Sequence, residues 1–253
     1  LQRYFVSSSN WNGNEVTIQG EDVHHIVKVM RNKPGDNIIC NDELGKSAIC
    51  EIKQMEVSSI IAEVLEWLDE DVEMPIHVTI AQGLPKGDKL DLILQKGTEL
   101  GASAFIPFQS DRSVVVWDNK KIVKKMTRFS KIVKEASEQS HRTRIPTLHE
   151  PMNLDGIIKE GLLYDRKIFA YEEEAKGEHY HSFASILKDL VKGQKLLIVI
   201  GPEGGFSETE AQQLKSNGFE TVRLGPRILR TETAPLYALA SISYHFEEFH
   251  INE

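Results

Sequence analysis

Cysteine is nearly absent from this chain. Its 253 residues include two, Cys40 and Cys50. They lack CxxC spacing and have no paired histidines beside them, so neither a disulfide framework nor a zinc site is expected; they read as small, partly buried thiols of a hairpin. Long apolar runs are missing as well. Nothing approaches the roughly 18 to 20 residues that span a bilayer, and the opening residues, Leu1-Gln2-Arg3-Tyr4-Phe5, lack the charged-then-apolar order of a signal segment. A cytoplasmic protein without membrane contact is the expectation. His24 with His25, and His179 with His181, have no thiolate or carboxylate partners at ligand spacing, so no metal site is expected. Two phosphate-binding signatures are absent too. Phe206 follows Gly205 where a P-loop would carry Lys and then Ser or Thr, and no G-x-G-x-x-G opens a βαβ unit.

What is present is an ordinary globular composition, 40% hydrophobic and 27% charged, with an uneven distribution of charge. The chain carries −8 overall. Between Arg112 and Pro146, however, ten basic side chains stand against three acidic ones, a local +7. At about 100° per residue, Ile122, Met126, Phe129, Val133 and Ala136 share one stripe of a helix predicted over 120–140, flanked by Val123 and Ile132. Lys121, Lys124, Arg128, Lys131 and Lys134 lie opposite. Such a concentration in an acidic chain favours contact with an RNA backbone over a merely solvated face. Arg3 and Arg142 join Lys121, Lys124, Arg128 and Lys131 as candidate RNA contacts.

Two rhythms divide the chain. Residues 1–70 read as short β segments at 15–18, 36–40, 47–50 and 59–65, interrupted by one helix over 21–31 and by turns at 33–36 and 43–45, the content of a small barrel. The acidic stretch 69–73 before Pro75 is the expected linker. From residue 74 to 253 strands and helices alternate, with strands at 77–81, 104–108, 167–171, 196–200 and 221–224. Helices are expected over 89–100, 120–140, 182–191, 208–217 and 234–249. The fold class is therefore α/β, a mainly parallel sheet covered by helices, preceded by a β domain.

The richest segment is 196–234. An apolar strand runs into Gly201-Pro202-Glu203-Gly204-Gly205-Phe206, and a second into Leu224-Gly225-Pro226-Arg227-Ile228-Leu229-Arg230-Thr231-Glu232-Thr233-Ala234. Two Gly-bearing turns, each between strand and helix, are where α/β proteins build small-molecule sites. The glycines allow close backbone approach or positive φ, and Ser207 with Glu210 forms a capping box for the next helix. Glu203 and Glu232 beside Arg227 and Arg230 make a mixed-sign pocket, better suited to a zwitterionic or cationic ligand than to a polyphosphate.

These motifs resemble those of the ribosomal small-subunit uridine N3-methyltransferase family of the SPOUT class. Gln82-Gly83-Leu84-Pro85-Lys86-Gly87, Gln95 to Gly101, Asp111-Arg112-Ser113, and Glu138 to Arg142 with Pro146 are similar as well, so the resemblance covers essentially the whole chain. It implies S-adenosylmethionine as methyl donor and a C-terminal trefoil-knotted domain. It also implies an N-terminal PUA-like RNA-binding barrel, a homodimer, and N3 of a 16S rRNA uridine in the small ribosomal subunit as target. It further implies that the adenosyl moiety sits against Leu224, Gly225, Ile228, Leu229 and Arg230. Gly201, Pro202, Glu203 and Gly204 would close over the rest, Ala234 would line the apolar side, and 169–172 would add a wall. Core packing is the competing explanation for Ile228 and Leu229.

Uridine N3 carries a proton between two carbonyls, so its attack improves as that proton leaves and charge spreads onto both oxygens. Arg230, then Arg112, are expected to stabilise that charge, and Glu203 or Glu232 to accept the proton. Mutual pairing of these glutamates and arginines is the alternative. The target base must be unpaired or flipped out. Two rival readings remain at this stage, a non-catalytic RNA-binding assembly factor and a related methyltransferase acting on tRNA or on a ribose 2′-oxygen.

Overall fold

In a computed structural model of the chain, residues 1–70, 72–171 and 181–249 are described, and the side chain of His181 is not. The chain forms two compact units, 1–73 with 134–145, and 74–133 with 146–253. The first of these divisions falls at 73/74, at the end of the acidic 69–73 stretch. The assignment of 134–145 to the first unit has no counterpart in the sequence rhythm.

The first unit is a six-stranded sheet in the order β1-β4-β5-β6-β3-β2. Its strands are β1 (Arg3–Phe5), β2 (Trp11–Asn12), β3 (Glu15–Gln19), β4 (Asn37–Asn41), β5 (Ser47–Met55) and β6 (Ser59–Leu68). β1 pairs parallel with β4, and the other pairings are antiparallel. Alternation places Val16, Ile18, Ile38, Cys40, Cys50, Ile52, Ile60 and Ala62 inside. Cys40 and Cys50 are thus fully buried core thiols. The expected helix is present as α1 (Glu21–His24) continued by a π-helical turn, His25–Val29. The expected turns at 33–36 and 43–45 are closed by Gly35 at φ 95° and Gly45 at φ 91°.

The second unit holds an all-parallel sheet in the order β10-β8-β7-β13-β11-β14-β12, with β9 pairing β8. Its central strands are β7 (His77–Gly83), β8 (Ala104–Gln109), β11 (Arg166–Ala170), β13 (Lys195–Ile200) and β14 (Glu220–Arg223). Short edge pieces, β9 (Thr147–Leu148), β10 (Met152–Asn153) and β12 (His181–Ser182), were not foreseen. Nor was the helix α4 (Leu154–Glu160), capped by Asn153. The remaining helices are α2 (Lys89–Glu99), α3 (Asn119–Gln139), α5 (Phe183–Asp189), α6 (Glu208–Ser216) and α7 (Thr233–Ser243), the last extended by Tyr244–Phe249. Both sheet faces are covered, which is why the strands are apolar throughout rather than alternating: Leu196 to Ile200 are all buried. β13 lies between β7 and β11 although it follows both in sequence, and this crossover sets its carboxyl end beside those of β11 and β7. No described helix is long and apolar enough to cross a membrane.

Candidate functional site

The carboxyl ends of β11, β13 and β14 open into one cleft of about 800 Å³, with Lys89 and Arg112 also in its wall. Both the size and the position are those of small-molecule sites in open α/β sheets. The ten residues expected against a ligand, Gly201, Pro202, Glu203, Gly204, Leu224, Gly225, Ile228, Leu229, Arg230 and Ala234, all line it. Leu224 and Ala234 are buried in its apolar floor. Ile228 is 75% exposed, so core packing does not account for it, whereas Leu229 does pack partly on the core. Of the expected wall at 169–172, Ala170 and Tyr171 line the cleft. Phe169 is buried behind it, edge-on to Phe206 at 5.6 Å, and Glu172 lies outside the described residues.

The glycines follow the sequence expectation in part. Gly205 and Gly225 hold φ of 64° and 78°, conformations that a side chain would strain. Elsewhere the close approach is made to protein. A Cβ on Gly83 would stand 2.6 Å from Pro202, one on Gly201 3.1 Å from the Gly205 backbone, and one on Gly204 3.0 Å from Arg112 Cβ. These glycines let the loops fold onto one another and so shape the cleft. Beneath them, Thr231 Oγ1 donates to the Gly201 carbonyl at 2.7 Å and accepts from Gln82 Nε2 at 2.9 Å. Gln82 and Thr231 are both buried. Sequence reasoning did not single them out, although both stand inside the quoted motifs.

Lys89, also missed, pairs with both carboxylates. Its ammonium lies 2.8 Å from Glu203 Oε1 and 3.3 Å from Glu232 Oε2. The hydrogen bond to Glu203 chiefly raises the lysine's pKa. At Glu203, burial pushes the carboxyl up, but hydrogen bonds from the Lys89 side chain and from backbone N–H groups, including Lys86 at 3.1 Å, bring it below its ordinary value. Glu203 is therefore ionised, partnered and a poor proton acceptor. The alternative of glutamates pairing with arginines gives way to pairing with this lysine. Arg112 Nη1 instead donates to the Gly204 carbonyl at 3.1 Å. Arg230 is exposed; its carbonyl accepts the Thr233 and Ala234 N–H groups at the start of α7.

Along α3, Phe129, Val133 and Ala136 are buried and Ile122, Met126 and Ile132 half-buried, as the stripe predicts; Val123 is 69% exposed. Lys121, Lys124, Arg128 and Lys131 lie on the exposed side. Arg128 pairs with Asp91, and Lys121 is 3.9 Å from Asp118. Lys134 is turned inward to Asp22 at 2.5 Å.

Two candidate RNA contacts require correction. Arg3 is 0% exposed; it donates to Asn41 and Ser47, each at 3.1 Å, and to both oxygens of Glu70. Arg142 is 5% exposed and pairs with Glu73. An enclosed guanidinium already bonded to a carboxylate cannot reach a phosphate. The acidic linker supplies both partners, so it is an internal counter-charge as well as a connector.

Comparison with known proteins adds independent findings. A family model described as an RNA methyltransferase domain matches residues 72–243, and one described as an RNA methyltransferase PUA domain matches 18–65. The chain is 49% identical over 250 residues to ribosomal RNA small subunit methyltransferase E of Bacillus subtilis, covering 98% of each. It is 33% identical to the Mycobacterium bovis protein of the same name, covering 94% of this chain and 90% of that one. Among solved structures it is similar to a Neisseria gonorrhoeae ribosomal RNA small subunit methyltransferase E bound to S-adenosylmethionine. That match has a TM-score of 0.82 at 31% identity and covers 96% of this chain and 97% of the other.

Proposed function

We propose, from the premise that this chain belongs to the ribosomal RNA small subunit methyltransferase E family, that it transfers a methyl group to N3 of a uridine in 16S rRNA. The observation that carries this reading is the convergence of the 201–205 and 224–231 loops on one cleft that also holds Arg112 and Arg230. S-adenosylmethionine is the methyl donor and supplies an electrophilic carbon on a sulfonium centre. The cleft fits it. Leu224, Leu229 and Ala234 give an apolar floor for a purine, backbone around Gly201 and Gly225 can hydrogen-bond polar edges, and the Glu203 carboxylate tolerates a cation. Arg112 and Arg230 at the cleft stabilise charge developing on the uracil carbonyls, which favours loss of the N3 proton. Glu203, held ionised by Lys89, orders the loop rather than taking that proton. Of the two glutamates, Glu232 remains as the acceptor, directly or through water.

Support for RNA recognition comes from the PUA-family match and from the exposed basic side of α3. Lys121, Lys124, Arg128 and Lys131 are the proposed phosphate contacts. A homodimer, a cytoplasmic location and a trefoil knot in the second unit complete the reading. Its test is transfer of labelled methyl from S-adenosylmethionine to small-subunit RNA, with digestion to nucleosides; label in 3-methyluridine is the expected product, and label in a ribose-methylated nucleoside contradicts it.

A further inference from the structure

A capping-box glutamate needs only to accept one backbone N–H at its own helix start, and it is ordinarily solvated. Glu210 does this, accepting the Ser207 N–H at 2.8 Å while Ser207 Oγ accepts the Glu210 N–H at 3.1 Å. Yet Glu210 is 2% exposed and does more. Its Oε2 also accepts from Ser110 Oγ at 3.2 Å, and its Oε1 accepts the Asp111 N–H at 2.9 Å. Ser207 Oγ in turn donates to Asp111 Oδ2 at 2.9 Å. The first turn of α6 and the loop after β8 are thereby tied through one buried carboxylate. The next residue along that loop is Arg112, whose guanidinium reaches the cleft and donates to the Gly204 carbonyl.

We infer that Glu210 is a positioning residue for Arg112, fixing the backbone from which that guanidinium enters the cleft. A charged group that stabilises a transition state is effective only within a fraction of an ångström of its working position. Arg112 is long and exposed, so its aim depends on where its own backbone is held. Ser110, 2% exposed, is the second member of the same clamp. The inference rests on the proposed role of Arg112 in methyl transfer.

The test compares Glu210→Gln, Ser110→Ala and Arg112→Ala, singly and with Arg112→Ala in each pair, by single-turnover methyl transfer to small-subunit RNA and by calorimetric affinity for S-adenosylmethionine. Ser110→Ala leaves the capping box intact, so it reports even if Glu210→Gln folds poorly. The expected result is a roughly tenfold or greater loss of rate in Glu210→Gln, a smaller loss in Ser110→Ala, and donor affinity within about twofold of the unmodified protein. In the Arg112→Ala background neither change should lower the rate further by more than about twofold, because the group they aim is gone. Multiplying losses in the double variants, or donor affinity falling in step with rate, would overturn the role of Glu210 while leaving that of Arg112 intact. An Arg112→Ala protein with unimpaired transfer would instead refute the role of Arg112 itself, and the inference with it.

Discussion

A carboxylate accepts a proton readily only when little holds it in the ionised form, and Glu203 is held by the Lys89 ammonium and by backbone N–H groups. Its pKa is lowered in the folded protein, so the stabilisation it gives the loop is present above the ordinary carboxylate range and is lost as pH falls through the folded value. Donor affinity measured by calorimetry should accordingly stay level from pH 8 to about 5.5 and weaken only at more acidic pH. In Glu203→Gln the affinity should drop from pH 8 to about 5.5 and converge on that of the unmodified protein at more acidic pH, while the shape of the rate profile between pH 6 and 8 stays the same; a profile that loses its acid limb would restore Glu203 as the base. Arg230 has the opposite character, an exposed cation at the cleft. Arg230→Ala should therefore lower the transfer rate far more than donor affinity, by about 3 kcal/mol in activation free energy. Near-normal turnover with poor donor binding would make it a cofactor residue instead.

Among the elements, α3 separates what periodicity can reveal from what it cannot. Its apolar stripe fixed which side packs, and Phe129 and Val133 are buried accordingly. Reversal of Lys121, Lys124, Arg128 and Lys131 to Glu should weaken rRNA binding and flatten its salt dependence by up to roughly 0.9 per lost contact on duplex-like RNA, or roughly 0.7 on single strands. Unchanged affinity at low and physiological salt would reduce this face to solvated surface. The same helix shows the limit of periodicity, because Lys134 stands on the predicted basic half yet pairs with Asp22, 112 positions away in sequence. Local pattern also located both cleft loops, since the glycines and the Ser207 to Glu210 box are signals within a few residues. Lys89, Gln82 and Thr231 escaped because their roles come from strand order: β13 inserts between β7 and β11, and only then do the 82–89 segment and the 201–205 loop meet. Arg3 misled for a related reason, its partner Glu70 being 67 residues away.

For the molecule as a whole, stability and assembly each leave a measurable trace. Glu138 in the first unit is 9% exposed, and burial chiefly raises its carboxyl to about 7 despite Lys134, with Asp22 adding repulsion. Between its ordinary value of 4.5 and about 7 the folded state binds the proton more tightly than the unfolded state, so stability falls as pH rises through that window. Thermal melts should show Glu138→Gln losing less stability than the unmodified protein between pH 5 and 8, by on the order of 2 kcal/mol; parallel curves would contradict this. On α7, Leu239 and Ile242 are buried within the second unit, and another side of the helix carries apolar side chains exposed beside α5. There Tyr237, Tyr244 and Phe249 are 38%, 62% and 64% exposed beside an apolar groove against α5. Symmetric pairing would cover that face. Sedimentation should then give twice 28.6 kDa, and Tyr244→Asp should give 28.6 kDa; an unmodified protein of 28.6 kDa at micromolar concentration would remove the dimer. The most direct test of the central claim is mass spectrometry of 16S rRNA from cells lacking this gene, before and after incubation of their small subunits with the purified protein and S-adenosylmethionine. The account predicts one added methyl group, recovered as 3-methyluridine at a single position; no added methyl, or a methyl on a ribose or another base, would contradict it.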